Sequence, residues 1–217
     1  FAARDLGWIR LHMSGDGSVE VRDVSDDWVV VSIWGPHARD VLQSVTGEDV
    51  SNNAFPYMTA RAITLNDGDV WAQRVSYAGE LGWELYVAPE QAVRVWDTLM
   101  TAGRKFGIQP VGYKALESLR LEKGYRYWSA DITPDENPYE AGMGFTVKLK
   151  SGGDFIGRQA LLKAREDGFQ RRLCTLTMDD DTCVLYGGEA IYAQDKLVGR
   201  VRRGGYGYSI GKNIARS

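Results

Sequence analysis

The sequence predicts an α+β fold: two α/β modules followed by a C-terminal β-barrel-like module. In the first half of the chain, runs typical of strands alternate with helical patterns, as they do in α/β modules. After residue 170 only strand-like segments remain, and turn-forming residues separate them. These two observations favour a mixed fold that ends in a separate β-rich module.

The chain begins with a helical pattern. Apolar residues recur on one helical stripe: Ala2, Leu6, Ile9 and Met13. Neither an initiator Met nor a capping residue precedes this stripe, since the chain starts at Phe1. We therefore expect a piece of a longer protein whose N-terminal part is missing, with residues 1–56 as the remnant of an α/β module.

A buried strand and a helix follow in this first module. The run 28–34 is β-branched and aromatic, which is typical of a buried strand. Gly35-Pro36 then begins a helix, because proline suits the first helical position. Apolar residues up to Val45 give this helix an inward face.

The second module, residues 57–150, is predicted to combine a hairpin with helices. Residues 61–65 and 70–77 flank Asn66-Asp67-Gly68, a hairpin signal because Gly accepts the positive φ of the turn. The run 83–87 continues the sheet. Helices follow from Pro89 and after Gly112, and turn formers crowd between Trp128 and Pro138, in a loop of the kind that often carries function.

Residues 151–217 are predicted to form the C-terminal β-module. A short helix at Arg158–Glu166 precedes its strands. The predicted strands are Arg172–Met178, Glu189–Tyr192 and Lys196–Arg202, with turns at Gly187-Gly188 and Gln194-Asp195.

Composition excludes several classes of protein. Of the 217 residues, 44% are hydrophobic and 25% charged, which excludes disorder, collagen and a disulfide scaffold. The net charge of -3 leaves no basic excess for a nucleic-acid backbone. No apolar run approaches the roughly 20 residues that cross a bilayer. We expect no nucleic-acid or membrane partner, and a cytoplasmic location, or the mitochondrial matrix if the organism is eukaryotic.

Two further patterns do not predict a site. The glycine-rich segment 204–212 lacks the spacing of a dinucleotide fingerprint or a P-loop, so we interpret it as a glycine-permitted bend. His12 and His37 have no carboxylate or thiol at ligand spacing, and Cys174 and Cys183 form no CxxC pair. We therefore predict no metal site.

Glu84 is the first candidate binding residue. Strand alternation places Glu84 and Tyr86 on one face, opposite the apolar residues of the same strand. A carboxylate amid aromatic surface needs a partner, and one good use is to accept two N–H bonds from a flat heterocycle. An exposed Glu on the solvent face of the strand fits the same pattern equally well.

Arg120 and Trp128 are the next candidates. Arg120 borders the apolar stripe of its helix, where a guanidinium meets either an internal carboxylate or an anionic ligand. The pattern alone favours a structural brace over a ligand contact. Trp128, in a loop with Tyr125 and Tyr127, offers flat surface on which an aromatic ligand could stack, although core packing is the more common role.

A set of motifs occurs in a fixed order along nearly the whole chain. They are Gly35-Pro36, RVSYAGE at 74–80, GWEL at 82–85, SLRLEKG at 118–124, Asp131, Glu140-Ala141-Gly142 and GGYG at 204–207. This order resembles the tetrahydrofolate-dependent aminomethyltransferases, the T-protein of the glycine cleavage system. The segments GELGWELYV, LRLEKGYR and GGYGYSIGK are most similar to the folate-binding C-terminal halves of dimethylglycine and sarcosine dehydrogenases.

The resemblance implies a cloverleaf of three modules around a central folate pocket, with residues 57–150 as the folate-binding module. It implies that Glu84 binds the pterin, that Arg120 binds substrate and that Tyr77 lines the pocket. We add Trp128 to these cofactor-binding candidates because of its aromatic loop. The family's catalytic Asp lies upstream of Phe1, so the catalytic residue is unknown here and the chain alone is expected to be inactive.

The function implied is one-carbon transfer. The chain would pass the methyl-derived carbon of dimethylglycine or sarcosine to the cofactor tetrahydrofolate, as part of a demethylating dehydrogenase. Its FAD would lie on an upstream domain that is absent from this chain and covalently continuous with it. A free-standing aminomethyltransferase of glycine cleavage and a non-catalytic folate-binding module stay open as alternatives.

Overall fold

The computed structural model describes residues 1–66, 68–180 and 182–217. They form two compact units. Unit 1 comprises residues 1–76 and 80–110, and unit 2 comprises residues 77–79 and 111–217. The division into three modules at residues 56 and 150 stays a prediction.

Unit 1 contains a four-stranded antiparallel sheet. Its strands are β1 (Val29–Trp34), β2 (Ala60–Leu65), β3 (Gly68–Gln73) and β4 (Gly82–Val87), in the order β1-β4-β3-β2. These strands confirm the predicted ones, except that β3 ends at Gln73 and not at Tyr77. The predicted hairpin turn includes Asp67, which lies outside the described residues.

The helices of unit 1 are α1 (Ala2–Leu11), α2 (Ala38–Gln43) and α3 (Ala92–Gly103). Helix α2 contacts β4 and helix α3 contacts β1, so both contribute to one hydrophobic cluster with the sheet. Helix α2 begins two residues after the predicted Pro36. Helix α1 confirms the predicted helical pattern, but none of its residues is buried.

Gly82 allows β1 and β4 to pair closely where β4 begins. It lies opposite Trp34 in the antiparallel register. A Cβ at this position would lie 2.1 Å from the Ile33 carbonyl oxygen, a distance that no non-bonded pair tolerates. Glycine here preserves the register, and the register decides which β4 side chains face the core.

Unit 2 combines two helices with short strands. The helices are α4 (Tyr113–Glu122) and α5 (Arg158–Asp167), and the strands are β5 (Thr175–Thr177), β6 (Ala190–Ala193), β7 (Lys196–Arg200), β8 (Arg203–Gly207) and β9 (Lys212–Arg216). Strand β9 pairs with both β5 and β8, and β6 pairs with β7 in a hairpin. Gln194 and Asp195 join β6 to β7 with positive φ angles of 48° and 62°, which confirms the predicted turn.

The interpretation of segment 204–212 as a bend is wrong for its first half. Residues up to Gly207 form β8, and the turn lies between Gly207 and Lys212. A Cβ at Gly204 would lie 2.2 Å from the Leu185 carbonyl oxygen. The glycine is therefore required by a close backbone approach within a strand.

Helices and strands are interspersed through the chain, and the C-terminal part is β-rich, which confirms the predicted α+β fold class. Within the described ranges, no helix is long and apolar enough to cross a membrane.

Candidate functional site

Strand β4 presents two different faces. Trp83, Leu85 and Val87 are fully buried in the core of unit 1, with 0% of their surface exposed. Glu84 and Tyr86 alternate with them and are half-buried on the other face. This confirms the alternation predicted from the sequence. The Glu84 carboxylate therefore lies on a sheet face that carries an aromatic side chain.

The neighbours of Glu84 come from the two adjacent strands and from β4 itself. Ser32 of β1 and Gln73 of β3 lie directly opposite Glu84 in the two registers. The Tyr86 side chain lies next to Glu84 on the same face of β4. Burial raises the pKa of Tyr86, and the charge and hydrogen bond of Glu84 raise that pKa further. The tyrosine thus remains a protonated donor at neutral pH.

Arg120 lies on α4 in unit 2 and has no exposed surface. Its guanidinium forms ion pairs with Glu117 and with the buried Asp131. It also donates to the Tyr125 carbonyl oxygen at 2.9 Å. All three guanidinium nitrogens are thereby bonded within unit 2, which is the geometry of a brace.

Asp131 completes this buried charge cluster. Its Oδ2 accepts from Arg120 and, at 3.0 Å, from the backbone N–H of Tyr127. Its Oδ1 is buried and has no hydrogen-bond partner among the described residues. The cluster fixes the loop that starts at Tyr125, because two of its backbone groups are bonded to charged side chains.

Tyr77 lies in unit 2 and is connected to the same loop. Its hydroxyl donates to the Arg126 carbonyl oxygen at 2.8 Å, and its ring stacks on Tyr125 with the centroids 6.1 Å apart. Burial raises the pKa of the Tyr77 hydroxyl, and the nearby positive charge of Arg120 opposes this rise. Tyr77 and Arg120 thus both contact Tyr125.

Trp128 follows Tyr125 by three residues in that loop. It is 37% exposed and forms an isolated parallel bridge with Ile132. The turn is closed by the Ser129 N–H, which donates to the Ile132 carbonyl oxygen at 2.8 Å. Trp128 thus lies in a turn closed by backbone contacts and keeps part of its surface exposed. Glu84, the fourth candidate, belongs to unit 1.

Sequence reasoning missed the role of Glu117. This residue accepts from Arg120 and also forms an ion pair with Arg203 at 2.5 Å. Glu117 precedes Arg120 by three residues on α4, a spacing that brings side chains together on a helix. That spacing was a usable signal in the sequence.

The described residues contain no group of three or more His, Cys, Asp or Glu side chains placed to hold a metal ion. Cys174 and Cys183 are exposed thiols.

Two family models match the chain. The GCVT N-terminal domain matches residues 1–151, and the glycine cleavage T-protein C-terminal barrel domain matches residues 171–217. Together these matches cover unit 1 and all of unit 2 except residues 152–170.

Curated relatives include two mitochondrial dehydrogenases of Mus musculus. Sarcosine dehydrogenase is 44% identical over 90% of this chain and 21% of its own length. Dimethylglycine dehydrogenase is 42% identical over 97% of this chain and 24% of its own length. An aminomethyltransferase of Halothermothrix orenii is 39% identical over 78% of this chain and 46% of its own length. The chain thus spans about a quarter of the length of these dehydrogenases.

A solved structure has the same fold. The glycine cleavage system aminomethyltransferase T from Bartonella henselae aligns with a TM-score of 0.75 and 25% identity, over 87% of this chain and 50% of that chain. The family models cover most of the chain, and the motif order, the fold and the relatives agree with them. The chain therefore belongs to the glycine cleavage T-protein family.

Proposed function

We propose that the chain is the tetrahydrofolate-binding, one-carbon-transfer portion of an N-methyl amine dehydrogenase acting on dimethylglycine or sarcosine. Its identity of 42% and 44% with dehydrogenases of these names supports the substrate class. The observation that carries the proposal is Glu84, a half-buried carboxylate on an open sheet face with a tyrosine beside it. A carboxylate so placed is suited to bind a ligand.

The donors of a pterin fit this carboxylate. A pterin ring presents its 2-amino group and the adjacent ring N–H side by side, and an ionised carboxylate accepts both. Ser32 and Gln73, opposite Glu84 on the neighbouring strands, add a hydroxyl and an amide beside it. When bound, tetrahydrofolate supplies the nitrogens that accept the one-carbon unit. The role of Glu84 is to bind and orient the ring.

The other candidates divide into two roles. Tyr77 and Trp128 are proposed to offer aromatic surface to the cofactor, and the exposed part of the Trp128 ring supports this. Arg120 is proposed to act mainly through its partners, because its guanidinium is buried and already bonded. A direct contact of Arg120 with substrate stays a prediction.

The test is a titration of the chain with reduced folate, using the stable 5-formyl derivative and calorimetry. We expect saturable binding, and a loss of affinity of about ten- to a hundredfold in Glu84→Gln, because two hydrogen bonds to a charged acceptor are weakened. Glu20→Gln is the matched control, since Glu20 is exposed in the same unit. Equal affinity of the two variants would contradict the proposal.

A free-standing aminomethyltransferase is the second candidate. The identity of 39% with the Halothermothrix orenii aminomethyltransferase, and the TM-score of 0.75 with the Bartonella henselae structure, favour it. The intact mass and absorption spectrum of the parent protein distinguish the two. Flavin bands on a protein about four times this mass support the dehydrogenase, with a mitochondrial matrix location in a eukaryote. A colourless protein about half again as large supports the transferase.

A further inference from the structure

Tyr86 shares a strand face with the candidate pterin-binding carboxylate of Glu84. It follows Glu84 by two residues on β4, so the two side chains project from the same face. The opposite face of β4 packs into the core of unit 1, where Leu85 has no exposed surface. Because the strand is anchored by this packing, the Tyr86 and Glu84 side chains keep a fixed spacing.

The ring of Tyr86 has a cross-strand neighbour on each side. Val30 of β1 and Trp71 of β3 lie directly opposite Tyr86 in the two registers. Directly opposite residues have Cβ atoms about 4.5–5.5 Å apart, which is contact distance for side chains of this size. Val30 and Trp71 are 47% and 43% exposed, so the row of three side chains remains open to solvent. The row flanks Tyr86 on both sides and is accessible from solvent.

The shared face brings the Tyr86 hydroxyl within reach of the Glu84 carboxylate. Burial raises the pKa of Tyr86, and the charge and hydrogen bonding of Glu84 raise it further, which supports a contact between the two groups. An ionised carboxylate has about four lone-pair positions, so sites remain for the two donors of a heterocycle. A carboxylate that is already oriented loses less side-chain entropy when the ligand binds.

We propose that the Tyr86 hydroxyl donates a hydrogen bond to Glu84 and is a positioning residue, which orients the Glu84 carboxylate toward the adjacent N–H donors of a pterin. The inference rests on the proposed function, since it concerns the same ligand. In this proposal, the side chains of Val30 and Trp71 hold the tyrosine ring in position.

The contact itself is tested without any ligand. Tyrosine labelled with 13C at Cζ reports the titration of Tyr86 by NMR, with the Tyr86→Phe spectrum assigning the signal. In Glu84→Gln the pKa of Tyr86 should fall toward its ordinary value, because the carboxylate charge and hydrogen bond are lost while burial remains. Glu20→Gln should leave this titration unchanged. An unchanged Tyr86 pKa in Glu84→Gln overturns the inference.

The effect on the ligand is tested with Tyr86→Phe, which keeps the ring and removes the hydroxyl. We expect reduced folate to bind about five- to tenfold more weakly, with the melting temperature close to that of the wild type. An analogue in which a methyl group replaces the pterin 2-amino group should bind both proteins within about twofold, because it lacks one of the donors in question. Tyr57→Phe is the matched control, since Tyr57 is 57% exposed in unit 1.

The outcomes separate the inference from the proposed function. If the wild type binds folate and Tyr86→Phe binds it equally well, the positioning role is wrong while the proposed function stands. If Tyr86→Phe loses equal affinity for folate and for the 2-methyl analogue, Tyr86 does not orient Glu84 toward the 2-amino group. If the wild type binds no folate, the proposed function and the positioning role both fail, and only the contact seen by titration remains.

Discussion

The interiors of the two units differ in how much charge they contain. Unit 1 buries a continuous hydrophobic cluster that extends along the sequence from Val31 to Leu99. Unit 2 buries charge: among the described residues, every buried polar or charged residue except Thr46 lies there. They are Arg120, Asp131, Asn213 and Arg216.

The two units hold their candidate binding residues in place in different ways. The hydrophobic cluster stabilises unit 1 through burial of apolar area, which depends little on direction. The buried charges of unit 2 stabilise it only while each keeps its partner, since an unpaired buried charge is strongly unfavourable. Glu84 consequently projects from a strand that is anchored by apolar packing. Arg120, in contrast, is itself one of the buried groups that stabilise unit 2.

The largest expected effect is that of Arg120→Met. Methionine fills similar space but leaves the buried Asp131 without its ion pair, so we expect a loss of about 3–5 kcal/mol in the free energy of unfolding. Urea unfolding followed by circular dichroism measures it. The control is Lys163→Met, which breaks an exposed pair with Asp167 and should cost about 0–1 kcal/mol.

A second variant separates charge from packing. Adding Asp131→Asn to Arg120→Met removes the unpaired charge and should recover part of the lost stability. If the double variant is as unstable as Arg120→Met, or less stable, the loss comes from packing and the comparison of the two interiors is wrong.

Leu85→Ala examines the hydrophobic interior. Leu85 has no exposed surface and lies in the core cluster, so its truncation should cost about 2–5 kcal/mol, through lost burial and a residual cavity. Val93→Ala, at a residue that is 74% exposed, should change stability by less than about 0.5 kcal/mol. When Leu85→Ala is combined with Asp131→Asn, we expect no recovery of the free energy of unfolding, because the two residues lie in different units. Recovery there would contradict the separation.

The faces of β4 could be predicted from the sequence because they follow from a local rule. Side chains alternate along any strand, so Glu84 and Tyr86 share a face whatever the rest of the chain does. The partners of this face could not be predicted. They depend on the order β1-β4-β3-β2, in which strands far apart in sequence become neighbours.

Strand β8 was missed for a related reason. Its glycines have low intrinsic preference for strands, so local pattern favoured a bend. The structure retains them because Gly204 approaches the Leu185 backbone closely, a contact between residues 19 positions apart. Such close approaches are set by tertiary packing and leave no local signal.

The role of Arg120 was left open by its sequence pattern for a physical reason. A guanidinium at the edge of an apolar stripe fits both a brace and a ligand contact, and only the positions of its acceptors decide between them. Glu117 is local, three residues away on α4, whereas Asp131 comes from a loop beyond the helix. The structure places both acceptors on Arg120 and leaves its guanidinium buried.

The smallest expected effect concerns Glu117 and pH. Burial disfavours the charged form of Glu117, but hydrogen bonds and charge interactions with Arg120 and Arg203 outweigh burial and lower the pKa of this carboxyl. A lowered folded-state pKa contributes stability that is complete above the unfolded value near 4.5 and is lost as the pH falls through the folded value. Glu117→Gln should therefore cost about 1–2 kcal/mol at pH 7, and the difference from the wild type should shrink below pH 4.5. Urea unfolding at pH 7, 5 and 3.5, with Glu20→Gln as the control, measures it. A difference that stays constant down to pH 3.5 would assign the effect to packing of the side chain and not to its charge.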